Sequence, residues 1–195
     1  MTMRRSTIVL LLLAAGCGFF SRGPKSRFFS LERAVPSTPP VAGVRATPVA
    51  IEGVELPPGF DRRELVVRKA DHQLDIRNNE QWSATLEPMA LHTLAFDLAA
   101  RLPEGTVVLP GESKPAVVRT VDVVFEELAA GPESRLVLDG RWIVRESGRA
   151  DISHHERIEI PLPSLDGAQI ASGMSQALAQ LADRMAAALG VTAPR

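Results

Sequence analysis

The residue types in this chain that could do chemistry are few and poorly assembled. His154-His155-Glu156 is the one cluster with metal-ligand character. It lies in a stretch patterned as a β-strand, where neighbours point to opposite faces, so the two imidazoles do not converge on one ion. No H-E-x-x-H or C-x-x-C spacing occurs. A polar patch on an exposed strand is the simpler account. His72 falls in an expected turn and His92 in an expected helix, each without a visible partner. Ser30, Ser83 and Ser172 lack the G-x-S-x-G setting of a nucleophile elbow, and no G-x-x-x-x-G-K loop is present to cradle phosphate. Glu126 and Glu127 are expected on opposite faces of a strand as solvated acids. Trp82 and Trp142 lie on apolar faces, which favours packing over ligand contact. Arg62, Arg63 and Arg68 are either scattered surface cations or a docking patch. No catalytic constellation emerges, and no metal or cofactor is expected.

Cys17 is different, because it is the only cysteine in the chain. It follows Arg4-Arg5, the apolar run Ile8-Val9-Leu10-Leu11-Leu12-Leu13, and the small residues Ala14-Ala15-Gly16. A basic head, a short apolar run and small residues before a cut make a secretory signal peptide. The run is well short of the ~20 residues that span a bilayer. A lone cysteine in a secreted chain pairs outside the chain or is modified. The string ending in Gly16-Cys17 resembles the lipobox of bacterial lipoproteins, although Ala14 stands where Leu is usual, with Leu13 one place further out. That resemblance implies cutting after Gly16 and lipid attachment to Cys17. The expected organisation is a signal peptide over 1–16, lipidated Cys17 and tether over 17–27, one domain over 28–190 and a tail over 191–195.

Removing residues 1–16 takes Arg4 and Arg5 and no acid, so the net charge of −1 becomes −1 − 2 = −3. A nucleic-acid binder would want a basic face, and no nucleic-acid partner is expected. With no second cysteine the domain must be held by packing. The tether of about ten residues reaches at most roughly 35 Å, against a domain radius of gyration of roughly 15 Å. The domain would therefore sit close to the membrane that holds its lipid.

Alternation predicts strands over 28–31, 49–56 (with Val49, Ile51 and Gly53 on one face), 64–69 and 74–77, where Leu74 and Ile76 alternate with Asp75 and Arg77 as in a half-buried strand. Pro57-Pro58-Gly59-Phe60 has the residues of a type II turn, and 71–73 a second turn. Residues 82–87 are expected to turn into a helix that starts near Pro88, with its stripe through Leu86, Met89 or Ala90, Leu94, Leu98 and Leu102. Three strands follow as a meander, 119–128, 135–145 and 151–160, the last presenting Ile152, Ile158 and Ile160. Ser164 or Asp166 can cap a final helix striped by Ile170, Met174, Leu178, Leu181, Met185 and Leu189, with Gly190 placed to end it. The expected fold is α+β: a single domain with a largely antiparallel or mixed sheet and two amphipathic helices on one face.

The run Val49-Ala50-Ile51-Glu52-Gly53-Val54-Glu55-Leu56-Pro57-Pro58-Gly59-Phe60-Asp61-Arg62-Arg63-Glu64-Leu65-Val66-Val67-Arg68 resembles the PqiC-like ABC-type transport auxiliary lipoproteins, whose pattern is a strand, Leu-Pro, an aromatic or Leu, Asp-Arg and a strand ending in Arg. Phe28-Phe29-Ser30-Leu31 matches their opening, where the aromatic pair is usually Tyr. Trp82 with Leu86 matches the Trp that opens the first helix, and Leu138-Asp139-Gly140-Arg141-Trp142 their small-x-Trp strand. The resemblance implies a non-catalytic outer-membrane lipoprotein on the periplasmic face. It would work with an ABC transporter and an MCE-domain protein that bridges the envelope and moves lipids. Asp61, Arg62 and Arg68 are then the candidates for partner docking, and self-association into a homo-oligomer is left open. Gly18 after the acylated cysteine favours outer-membrane sorting; Asp there would favour retention at the inner membrane. A structural envelope lipoprotein that binds another periplasmic complex or peptidoglycan is the alternative. A lipid-anchored hydrolase using His154 or His155 is a third.

Overall fold

A computed structural model describes residues 25–36 and 47–190. The signal-peptide segment, Cys17, most of the tether and the 191–195 tail lie outside them. The described elements run β1 (Arg27–Phe29), β2 (Val49–Glu55), β3 (Glu64–Arg68), β4 (Leu74–Trp82), α1 (Leu86–Arg101), β5 (Val107–Val108), β6 (Arg119–Gly131), β7 (Arg135–Arg145), β8 (Ile152–Pro161) and α2 (Gly167–Gly190). This is a single α+β domain, a mixed sheet covered on one face by two helices.

The sheet is organised on β6. One edge of that 13-residue strand pairs antiparallel with β7 from Thr120 to Gly131, and β7 pairs in turn with β8. Its other side is shared: β2 runs parallel to its first half, and β3 meets it at Val67 and Ala130. β3 continues antiparallel into β4, and the short strands β1 and β5 add parallel to β4 and β2. The meander over β6–β8 is as the sequence predicts. The parallel pairings arise because β2 and β3 reach β6 from earlier in the chain.

Alternation places Val121, Val123, Phe125, Leu136, Leu138, Trp142, Ile158 and Ile160 under the helices, all buried. On α2 the stripe of Ile170, Met174, Leu178, Leu181, Met185 and Leu189 is buried throughout. On α1 Leu86, Ala90, Leu94 and Leu98 are buried, with Leu102 just past its end. Burying side chains of this size is worth roughly 1.5–3 kcal/mol each before entropy. Asp166 caps α2, its Oδ1 accepting from the N–H groups of Ala168 (3.0 Å) and Gln169 (3.1 Å). The Ser164 hydroxyl bonds its other oxygen, and these donors hold the Asp166 carboxyl below the usual carboxylate range. The capping stability is therefore present above the ordinary aspartate value and is lost as pH falls through the depressed one.

Four local expectations are corrected. In β2 a register shift between Ile51 and Gly53 carries the inward face from Val49 and Ile51 to Val54 and Leu56, not to Gly53; an inserted residue resets the alternation. Leu74 and Ile76 are exposed, because they pair with Arg68 and Val66 on the face that carries no helix. Ile152 is also exposed, beside the last turn of α2. Trp82 does not open a helix. It ends β4, donating its backbone N–H to Arg63 O at 2.6 Å and burying its indole. The helix begins at Leu86, so Pro88 occupies its third position, where the missing N–H has no intrahelical acceptor to lose. The Pro57–Phe60 turn is as expected: Phe60 N donates to Pro57 O at 3.1 Å, and Gly59 has φ 86°.

A second register shift, between Phe125 and Glu127, sits opposite Gly140. A Cβ built on Gly140 would lie 2.6 Å from Val124 O and 3.0 Å from the Phe125 ring, so the close approach of β7 to the bulge requires glycine. Gly140→Ala is expected to destabilise the domain by about 1–3 kcal/mol. Denaturant unfolding should read this as a lower midpoint at unchanged slope.

Candidate functional site

The three docking candidates have different immediate partners. The turn after β2 carries Asp61 to the start of α1, where its Oδ1 accepts the Glu87 N–H at 3.0 Å. Thr85, the residue at the N-cap position, makes no side-chain cap bond, so Asp61 supplies that anion from outside the helix. Arg62 Nε donates to Glu64 Oε2 at 2.9 Å and holds the Glu64 carboxyl below its ordinary range. Arg68, at the end of β3, donates to Glu127 Oε1 on β6 at 2.6 Å. It lines a hollow of about 420 Å³ with Phe60, His72, Leu74, Glu126 and Glu127. Arg68 and Phe60 thus share one opening, while Asp61 is committed to the helix.

The sheet face opposite the helices is a ladder of ion pairs. Arg135 bonds Glu159 (2.6 Å), Arg157 bonds Asp139 (2.6 Å) and Glu159 (3.1 Å), Arg141 meets Glu126 (3.1 Å), and Arg145 bonds Asp122. Arg135 and Arg157 lower the Glu159 carboxyl, and Asp139 raises Arg157. The bulge puts both Glu126 and Glu127 on this face, which corrects the expectation that they diverge; each meets an arginine there.

His154 and His155 do diverge. His154 stacks on Trp142 with ring centroids 4.0 Å apart and planes 11° from parallel. His155 Nε2 lies 2.8 Å from Asp139 Oδ1, and Glu126 completes a group whose donor atoms fall within 4.8 Å of one another. Arg157 and Arg141 already neutralise those two carboxylates, so the local charge that would hold a dication is spent. The serines have other partners: Ser83 Oγ meets Met89 S at 3.6 Å, and Ser172 Oγ accepts from Gln176 at 3.2 Å.

One polar group was missed at the sequence level. Asp97 and Arg101 are buried between α1 and α2. Arg101 Nε donates to Asp183 Oδ1 on α2 at 2.5 Å, and its Nη1 donates to Asp97 O at 2.9 Å. Asp97 Oδ1 accepts the Ala34 N–H at 2.9 Å, and Ser175 Oγ accepts the Glu32 N–H at 3.0 Å. The segment after β1 is therefore strapped across the helix pair. Burial pushes the Asp97 carboxyl above its usual value, against the Ala34 bond and Arg101, which pull it down. The signal was available: 97 and 101 follow the stripe residues Leu94 and Leu98 by three, on the flank of the buried face.

Residues 29–186 match the profile of a family described as ABC-type transport auxiliary lipoprotein component. Among solved structures, an uncharacterized protein is 18% identical with a TM-score of 0.72, the match covering 85% of this chain and 99% of that one. A Xanthomonas campestris protein of family DUF330 is 12% identical with a TM-score of 0.63, covering 84% and 93%. At these identities the likeness is one of fold. No curated protein matches the sequence.

Proposed function

The chain belongs to the family of ABC-type transport auxiliary lipoprotein components, and from that premise we propose that it is a non-catalytic outer-membrane lipoprotein that docks a membrane-bridging MCE-type partner in a lipid-transport system. The observation that carries this is the family match over residues 29–186, which follows the signal-like segment, Cys17 and the short tether read from the sequence. Cys17 supplies the acyl anchor and residues 17–27 the leash. Position 18 is Gly and not the Asp that would favour inner-membrane retention, which supports sorting to the outer membrane. Among the described residues no helix is long and apolar enough to cross a bilayer. The ion-paired sheet face supports a scaffolding role better than a reaction.

Gentle detergent extraction followed by affinity purification tests the proposal. Recovery of an MCE-domain protein with the chain is the expected result, and clean isolation of the chain alone counts against it. Arg62 and Arg68 are exposed enough for a partner to reach, with side chains 37% and 46% accessible. Exposed pairs of this kind contribute about 0–1 kcal/mol to stability. Arg62→Glu with Arg68→Glu should therefore reduce recovery of the partner at least tenfold while moving the unfolding midpoint little.

A further inference from the structure

We infer that the β1 end of the domain is a second, non-covalent membrane contact, with Lys25, Arg27 and Phe28 seating on an anionic phospholipid surface. The inference rests on the lipid-anchored reading above and names the face that meets the bilayer. Residues 18–31 contain four phenylalanines, three basic residues and no acid. Basic residues near an anionic headgroup surface each contribute about 1 kcal/mol, or about fivefold in affinity, and aromatic rings are enriched at the membrane–water interface.

The structure fixes how the last part of that run is presented. β1 pairs in parallel with β4, with Phe28 opposite Gln81, and Phe29 O accepts the Ser83 N–H at 2.8 Å. Phe29 turns inward, its ring so close to Gly167 that a Cβ there would overlap it. Alternation then sends Phe28 the other way, and it is 59% exposed on this edge strand. Lys25 and Arg27 are exposed as well, Arg27 on the Phe29 side of the strand with its guanidinium 5.2 Å from the centre of that ring.

The acids nearby are already engaged. Glu80 is shared between Arg27 (3.1 Å) and Arg77 (2.8 Å), and Arg77 also meets Asp75 (3.5 Å). Asp166 is tied to the start of α2. Glu32 is the one exposed carboxylate on the strap that follows. Lys25 is eight residues from Cys17, a span of at most roughly 28 Å, so an anchor at Cys17 keeps this end of the domain within reach of the bilayer.

The test uses the mature chain carrying Cys17→Ser, which cannot be acylated, and sedimentation with vesicles of phosphatidylethanolamine and phosphatidylglycerol, three parts to one. Binding is expected, and it should fall in high salt and on phosphatidylcholine vesicles, because each basic residue near an anionic surface contributes about fivefold. Lys25→Glu with Phe28→Ser should reduce binding at least tenfold, whereas Arg149→Glu, on the β7–β8 turn, should not. Both altered side chains in the double variant are exposed, so an unchanged circular dichroism spectrum identifies a folded protein. No binding, equal binding to phosphatidylcholine, or binding unaffected by the double variant overturns the inference. Failure of the lipid anchor itself is read separately, from the intact mass of the native protein.

Discussion

Cys17→Ser is expected to abolish acylation and, once the leader is replaced by an ordinary cleavable one, to move the mature protein from the membrane fraction to the soluble one. The size of the effect follows from the anchor. Each buried methylene contributes about 0.8 kcal/mol, and a single myristoyl chain gives an association constant of only about 10⁴ M⁻¹, whereas two or more chains hold a protein firmly. The diacylglyceryl group and amide-linked acyl chain implied by the lipobox resemblance exceed that threshold. The serine variant retains at most the surface contact of β1, so its partition should drop by orders of magnitude. Metabolic labelling with a fatty acid and intact-mass measurement give the readout. An unmodified thiol at position 17 in the native, membrane-extracted protein would remove the anchor and the outer-membrane placement with it.

What could be read ahead of the structure was set by the range of the interactions involved. The α2 stripe from Ile170 to Leu189 and the β6–β8 meander are local periodicities, and both stand as expected. The Pro57–Phe60 turn is likewise local, since Gly59 alone supplies its positive φ. Errors appear where a neighbour decides. The bulge in β2 is a property of its pairing with β6, so Val54 and Leu56 replace Gly53 on the inner face. Leu74 and Ile76 alternate correctly but face the uncovered side, a fact fixed only when β3 and β6 choose their faces. Trp82 has helical spacing to Leu86, yet its N–H is taken by Arg63 across the hairpin. For the candidate site, Asp61 was singled out for docking, while its hydrogen bond to Glu87 gives it a place in the fold that the motif does not announce. The strap over the helices depends on Asp97 meeting a backbone amide 63 residues away, which no periodicity encodes.

That strap sets the second large effect. Arg101→Met is expected to destabilise the domain by about 3–5 kcal/mol at neutral pH, because it leaves a buried charge uncompensated. Asp97 has no exposed surface, and Arg101 Nη1 lies 3.8 Å from its Oδ1. Asp97 Oδ2 has no hydrogen-bond partner among the described residues, so Arg101 is the main cationic compensation within the helix pair. Methionine keeps the packing of the side-chain stem and removes only the charge and its bonds to Asp97 O and Asp183. The pH dependence follows from the direction of the Asp97 shift, which is upward and should increase in the variant. An acid whose folded value lies above its unfolded one binds more protons when folded in the window between the two, so stability falls as pH rises through that window. The Arg101→Met deficit should thus be greatest at neutral pH and shrink as pH is lowered toward the ordinary aspartate value of about 3.9. Asp97→Asn combined with Arg101→Met keeps an oxygen for the Ala34 N–H and removes the charge, so it should recover most of the loss. Hydrogen exchange at Ala34 supplies the local readout: protection should drop in the single variant and return in the double. A single variant that unfolds within 1 kcal/mol of wild type, equally at neutral and acidic pH, would show that Arg101 does not compensate Asp97 and that the strap is held by packing alone.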